Sequence, residues 1–297
     1  MSLYVAVLIK GPLDEVWHKT QDPEQHQRWD LRFTRIEYIP STNPQKFLYE
    51  TRLGFGIKVA GEGESIATRD DGEGGRTSSL RFWSSQRHSL IKEGSGYWKY
   101  SPAPEGTKFV TGYDYSTRFG PAGKVLDRIF RPLIAWATAW SFDSLRLWID
   151  KGIPPEVSRQ KAIVHALARV TLAFVWIWHG IVPKLIARDP QESLPLIRLG
   201  LSPSHATSVV TIAGAAEIAA GLLTLLLWRT RKLLIAEAIA FLALGMGAVI
   251  TTPELAILAF SPVSLTAALV ALCTAGYIAS IDLPSAKHCD YHWRTKK

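Results

Sequence analysis

Three ionisable residues sit where ionisable residues are costly, inside long apolar runs: Arg169, Glu217 and Glu237. In hydrocarbon such a side chain must be paired, wetted or turned inward, so each marks a polar site or a helix-to-helix clamp. Counted along helices, Arg169 and Glu237 fall in the same half of a bundle and Glu217 near the middle of its run, so the three are expected to meet. Two readings stand for them: a polar or proton-linked pocket, and a structural Arg–Glu clamp. His179 and Lys184, toward the far end of the first run, are candidates to line a ligand site or to sit among headgroups. Elsewhere chemistry is sparse. His18, His26 and His88 have no metal-ligand spacing and are expected at the surface. Asp30, next to Trp29, could act as an acid or base at a pocket mouth. Two cysteines, Cys273 and Cys289, make no disulfide framework and no metal set. Gly54-Phe55-Gly56 and Gly61-Glu62-Gly63 lack the strand–loop–helix context of a phosphate loop.

The runs that carry these charges are about Ile163–Ile181, Val209–Trp228, Leu233–Ile250 and Pro262–Ile281. A hydrocarbon core about 30 Å thick needs about 20 helical residues, and these lengths fit. Four such runs in succession exclude a soluble protein. The charge distribution agrees. Residues 1–160 hold 22 Lys+Arg and 19 Asp+Glu, whereas residues 161–297 hold 12 and 7, mostly between the runs. Nine basic residues flank the runs on the side of the N-terminal half: Arg159, Lys161, Arg229, Arg231, Lys232, Lys287, Arg294, Lys296 and Lys297. Only Lys184, Arg188 and Arg198 lie on the other side. Both termini are therefore expected in the cytoplasm of a multi-pass protein of a bacterial inner membrane. A basic pI near 9.5 is explained by this arrangement and implies no nucleic acid. The start of the chain has no basic segment before its short apolar stretch, so no cleaved leader is expected.

The N-terminal half reads as strands around two short helices and one long one. Leu3–Ile9 alternates as a strand; Pro12–Thr20 and Asp22–Arg28 follow as helices, the second capped by Asp22 with Pro23 in its first turn. Further strands are expected near Phe33–Tyr38, Lys46–Leu53, Ile57–Val59, Glu64–Arg69, Ser78–Trp83, Gly94–Ser101 and Lys108–Thr117. A long helix runs from about Ala122 to Ile149 with a broad apolar face, and Lys151-Gly152-Ile153-Pro154-Pro155 ends it.

Both halves resemble known families. Arg169, Phe174, Gly180, Pro183-Lys184-Leu185, Glu217 and Gly221 make residues 162–285 similar to the DoxX-like four-helix membrane proteins. Val16-Trp17, Asp22-Pro23, Trp29 and Gly123-Lys124-Val125-Leu126-Asp127 make residues 1–150 similar to the START-like (SRPBCC, polyketide cyclase-like) superfamily. These resemblances imply an α+β helix-grip domain, with an antiparallel sheet around a long C-terminal helix, then an all-α four-helix transmembrane bundle. The organisation expected is a cytoplasmic domain 1–150, a linker 151–161, the bundle 162–285 and a cytoplasmic tail 286–297. A helix-grip cavity implies an apolar ligand with a few polar contacts. The pattern nominates Trp29, Phe33, Phe82, Tyr97, Tyr113, Phe130, Trp136 and Trp140 as lining or core residues, and Arg52, Arg81 and Tyr115 as polar contacts.

The expected function is membrane-tethered binding, presentation or sensing of a hydrophobic small molecule or lipid. The alternatives are a quinone-linked membrane oxidoreductase subunit, a cyclase-like enzyme on an apolar substrate, and a module that docks a membrane-protein partner or a second copy. No residue set is assigned to catalysis, and no cofactor is implied, since neither paired thiols nor a haem-binding motif is present.

Overall fold

The computed structural model describes residues 3–52 and 56–293. The Leu53 end of one expected strand, Gly54 and Phe55, and the basic tail Arg294, Lys296 and Lys297 lie outside the described residues. The chain forms two units: residues up to Ser158 together with those from Pro284 onward, and Arg159–Leu283 between them.

The first unit is one antiparallel sheet with a long helix across its concave face. In chain order it has β1 (Leu3–Ile9), α1 (Leu13–Gln21), α2 (Pro23–Trp29), β2 (Arg35–Ile39) and β3 (Lys46–Arg52). Then come β4 (Lys58–Asp70), β5 (Arg76–Trp83), β6 (Ile91–Ala103), β7 (Gly106–Thr117) and α3 (Gly120–Lys151). The last strand, β8 (Asp290–His292), comes from the other end of the chain, and the sheet order is β2-β3-β4-β5-β6-β7-β1-β8. Alternation sets the two faces. Leu3, Val5, Val7 and Ile9 of β1 and Phe109 and Tyr113 of β7 point inward onto Ala135, Ala139, Phe142 and Leu145 of α3, with Trp29, Trp98 and Tyr100 completing the core.

Two sequence expectations change here. The expected strands Ile57–Val59 and Glu64–Arg69 merge into the single strand β4, which starts at Lys58, because Gly61 and Gly63 do not break it. A Cβ at Gly63 would lie 2.2 Å from the Phe47 ring, and one at Gly94 on β6 would lie 2.4 Å from the Phe82 ring. These glycines are where aromatic rings of neighbouring strands lie flat on the sheet. Residues 286–293 of the expected tail are also structured. From Ser285 the chain packs on α3: Asp143, fully buried, accepts from the Ser285 N–H (2.7 Å), lies 2.9 Å from His288 Nδ1, and accepts from Arg146 Nε (2.6 Å). Cys289 is buried beside Ala139, and β8 then pairs with β1, covering an edge that would otherwise present unpaired backbone groups.

The second unit is helical: α4 (Pro155–His179, which begins in the first unit), a π-helical continuation Gly180–Ile186, α5 (Pro190–Arg198), α6 (Pro203–Leu226), α7 (Arg231–Thr251) and α8 (Pro262–Ala279). Four helical stretches are long and apolar enough to cross a membrane: Pro155–Ile186, Pro203–Leu226, Arg231–Thr251 and Pro262–Ala279. Most of their large apolar side chains face outward, as lipid-facing helices require. Inside, Trp176 stacks on Phe241 at 4.3 Å, with Leu172, Leu234, Leu269 and Cys273 around them.

Candidate functional site

In the first unit the sheet and α3 close tightly at one end and less so at the other. At the tight end Trp29, Tyr100, Phe109 and Phe142 are almost wholly buried. At the β2–β5 end the inward rings are only half-buried: Phe33, Phe47, Tyr49 and Phe82 on one side, Phe130 on α3. The result is a half-buried apolar trough on the α3-facing side of the sheet, in which the Phe47 and Phe82 rings occupy the space left by Gly63 and Gly94. Burial pushes the Tyr49 hydroxyl up to about 12, so it is a neutral donor, here toward the Trp83 carbonyl at 3.3 Å.

Polar groups border this trough in two clusters. Asp30, fully buried as a side chain, receives Arg32 through two bonds (2.9 and 2.6 Å) and lies 3.0 Å from His26 Nε2. Burial alone would raise the Asp30 carboxyl; the Arg32 guanidinium and His26 outweigh it and hold it well below the usual carboxylate range. Burial pushes His26 below its ordinary 6.5, against the pull of Asp30, so the ring is neutral, packed among Trp29, Phe33 and Trp98. Arg32 lies over the Tyr113 ring, whose hydroxyl is 3.1 Å from Thr138 on α3. In the second cluster Tyr115 donates to Asp127 (2.6 Å), which also accepts from Arg131 (2.8 Å), and Arg131 lies over the Tyr115 ring.

The nominated residues divide accordingly. Phe33, Phe82, Tyr113, Tyr115 and Phe130 are brought together around the trough, while Trp29 and Trp140 are packed into the core. Arg52, Arg81 and Tyr97 are not on this face: the strand register puts Arg52 with Glu50, Arg81 with Glu64, and Tyr97 over Gly112 on the outer side of the sheet. Trp136 points outward from α3. His26, expected at the surface, is buried, because α2 turns it onto the core; His18 and His88 are exposed. Sequence reading missed Arg32, Thr138, Asp127 and Arg131. The spacing of Asp30 and Arg32, two residues apart after a helix end, was the available signal for the first cluster.

In the second unit Arg169 and Glu237 meet at Thr224, whereas Glu217, expected with them, belongs to a second site. Arg169, fully buried, donates to the carbonyls of Thr224 (3.1 Å) and Thr230 (2.9 Å), and His165 one turn earlier lies 3.2 Å from the Trp228 carbonyl. These carbonyls belong to the last turn of α6 and the turn after it, where helical partners run out and a cation satisfies both bonds and dipole. Glu237 bonds through one oxygen to the Thr224 hydroxyl. Arg169 Nε, Trp176 Nε1 and Glu237 Oε2 are buried without a hydrogen-bond partner among the described residues.

About ten ångströms further along α6, seven residues at 1.5 Å each, Glu217 lies 3.1 Å from Lys184 Nζ, which is also 3.1 Å from Glu192. Lys184 is placed by the π-helical segment, whose wider turn accommodates Pro183, a residue with no N–H to give. Gly180 and Gly214 let the two backbones approach: a Cβ at Gly180 would be 2.5 Å from the Gly214 carbonyl. His179 is half-buried beside this site.

Residues 173–274 match the DoxX-like family, a span that holds Phe174, Gly180, Pro183-Lys184-Leu185, Glu217 and Gly221. The chain is thus a membrane protein with a DoxX-like domain after a helix-grip domain. It is 44% identical over 182 residues to the uncharacterized membrane protein YndG of Bacillus subtilis, a match that takes in 60% of this chain and 68% of that protein, and it belongs to the same family. The first unit is similar to a STAR-related lipid transfer protein fragment from Xanthomonas axonopodis (15% identity, 50% of this chain and 85% of that one, TM-score 0.41). It is also similar to the Zhui aromatase/cyclase of a Streptomyces species (14% identity, 51% and 96%, TM-score 0.39).

Proposed function

We propose that this protein binds a hydrophobic small molecule or lipid in its helix-grip domain and presents or senses it at the membrane to which its own helices anchor it. The half-buried rings of Phe33, Phe47, Tyr49, Phe82 and Phe130, arrayed over glycines on the concave sheet, carry this reading. A site of that kind takes an apolar body, and the neutral hydroxyls of Tyr49 and Tyr113 suit an orienting hydrogen bond. Anchoring raises the local concentration of the domain where apolar ligands partition. The membrane is the bacterial inner membrane and both termini face the cytoplasm, on the strength of the nine-to-three bias of basic residues.

A second reading concerns the bundle. The unpartnered Arg169 Nε, Trp176 Nε1 and Glu237 Oε2 are spare donors and an acceptor in an apolar interior, which suits the head of a quinone-like molecule and an oxidoreductase subunit. One experiment separates the two. The full chain is purified from its native membrane in mild detergent and its bound small molecules are identified by native mass spectrometry. An apolar ligand lost on Phe33→Ala with Phe47→Ala and kept on Arg169→Met supports the grip-domain site. A quinone with the opposite dependence supports the bundle. An empty protein of full helical content overturns both.

A further inference from the structure

The first half of α3 is apolar on its outer side as well as its inner side. Gly123, Arg131, Ala135, Thr138 and Phe142 turn inward, whereas Val125, Leu126, Ile129, Leu133 and Trp136 are between 45% and 68% exposed. Their spacing follows one helical stripe, opposite the buried one. Beside it stand Lys124 and Arg128, both exposed and neither in an ion pair among the described residues. The only acid between Phe119 and Phe142 is Asp127, and it is engaged with Tyr115 and Arg131. An exposed apolar stripe with a Trp at one end and basic residues along one edge is the composition of a helix that lies in a lipid interface. The chain supplies that interface, since it crosses a membrane with four of its own helices. Anionic headgroups complement Lys124 and Arg128, which no neighbouring carboxylate offsets.

We infer that the outer face of α3 over Val125–Trp136 is a docking surface for an anionic lipid bilayer. The inference does not depend on the domain holding a ligand, and its test reads lipid proximity alone. Cys273 and Cys289 are buried, so a single introduced cysteine on the surface can be labelled selectively. The full chain with Ile129→Cys or Leu133→Cys carries an environment-sensitive fluorophore and is reconstituted in vesicles of phosphatidylethanolamine and phosphatidylglycerol, with an Ile66→Cys label on the sheet as control. A nitroxide-bearing lipid should quench the two α3 labels at least twofold more than the control. Lys124→Glu with Arg128→Glu, or vesicles of phosphatidylcholine alone, should reduce that difference. Equal quenching at all three sites overturns the inference. So does an α3 label shielded from both the lipid nitroxide and aqueous iodide, which would mean that a protein surface covers the stripe.

Discussion

The two units bury charge in different ways. In the helix-grip unit Asp30, Arg32 and His26 answer one another directly, and neither Asp30 nor Arg32 has a buried atom left without a partner. In the membrane unit Arg169 is matched to backbone carbonyls rather than to a carboxylate, and Arg169, Glu237 and Trp176 each keep one buried atom unmatched. A domain surrounded by water can draw its charged partners from neighbouring loops. A bundle surrounded by lipid has mainly its own helix ends to offer, and the carbonyls at the α6–α7 turn are the strongest acceptors within reach. The difference teaches that the Asp30–Arg32–His26 cluster is a closed structural device, while the Arg169–Glu237 region of the bundle retains unfilled hydrogen-bonding capacity where a polar ligand head would be stabilised.

The comparison can be broken most severely from the C-terminus. Removing residues 284–297 takes away β8 and leaves Asp143 buried with only Arg146, so the grip unit should lose its cooperative unfolding transition while the bundle still inserts. Circular dichroism in detergent with limited proteolysis reads both; an intact, protease-resistant grip unit would show that the strand is dispensable. Next, Arg169→Met strips two carbonyls of their donor and should cost the bundle about 2–4 kcal/mol, with no effect on the grip unit. Arg169→Lys should not restore it, because a single ammonium does not reproduce a fork across two acceptors. Thermal unfolding followed by a fluorophore on each unit checks this.

A smaller effect sharpens the picture at Lys184. Lys184→Met leaves Glu192 and Glu217 without their shared cation and should cost about 1.5–3 kcal/mol, whereas Glu217→Gln leaves the Lys184–Glu192 pair in place and should insert and assemble normally. Loss of assembly in Glu217→Gln would make that carboxylate the keystone instead. The smallest effect is a pH slope in the grip unit. His26 titrates lower folded than unfolded, so below its ordinary 6.5 the unfolded chain takes up a proton that the folded one refuses, and stability falls as pH falls. The slope is at most about 1.4 kcal/mol per pH unit, and His26→Gln should flatten it. Asp30 contributes in the same direction at lower pH: its stabilisation is complete above 3.8 and is lost as pH falls through the depressed folded value.

Architecture was largely legible in the sequence, and for identifiable reasons. The spans were marked by length and hydropathy, and β1, β7 and α3 by periodicity that burial enforces. The two halves of β4 were not joined, because a glycine pair reads locally as a break and only the rings of Tyr49 and Phe47 on the neighbouring strand explain it. Pairings were less legible than elements. Arg169 and the glutamates were picked out as unusual residues, yet their partners are backbone carbonyls, the Thr224 hydroxyl and a lysine on a π-helical turn, and no spacing of residue types marks these pairings. Arg52, Arg81 and Tyr97 were misplaced by strand parity, where an error of one residue moves a side chain to the opposite face. His26 was taken for a surface residue because a histidine carries no sequence mark of the tryptophans that enclose it.

The pairing of β8 with β1 joins almost the first described residues of the chain to almost the last. A ribosome adding roughly 5–20 residues per second would release β8 about 15–60 s after β1. Throughout that interval the outer edge of β1 is open while the four apolar helices are being made. The grip unit therefore cannot be completed until the membrane unit has been synthesised and its last helix has returned the chain to the starting side. Sheet closure requires an even number of membrane crossings: a chain with an odd number would deliver its closing strand to the other side of the bilayer and leave the first unit unsealed.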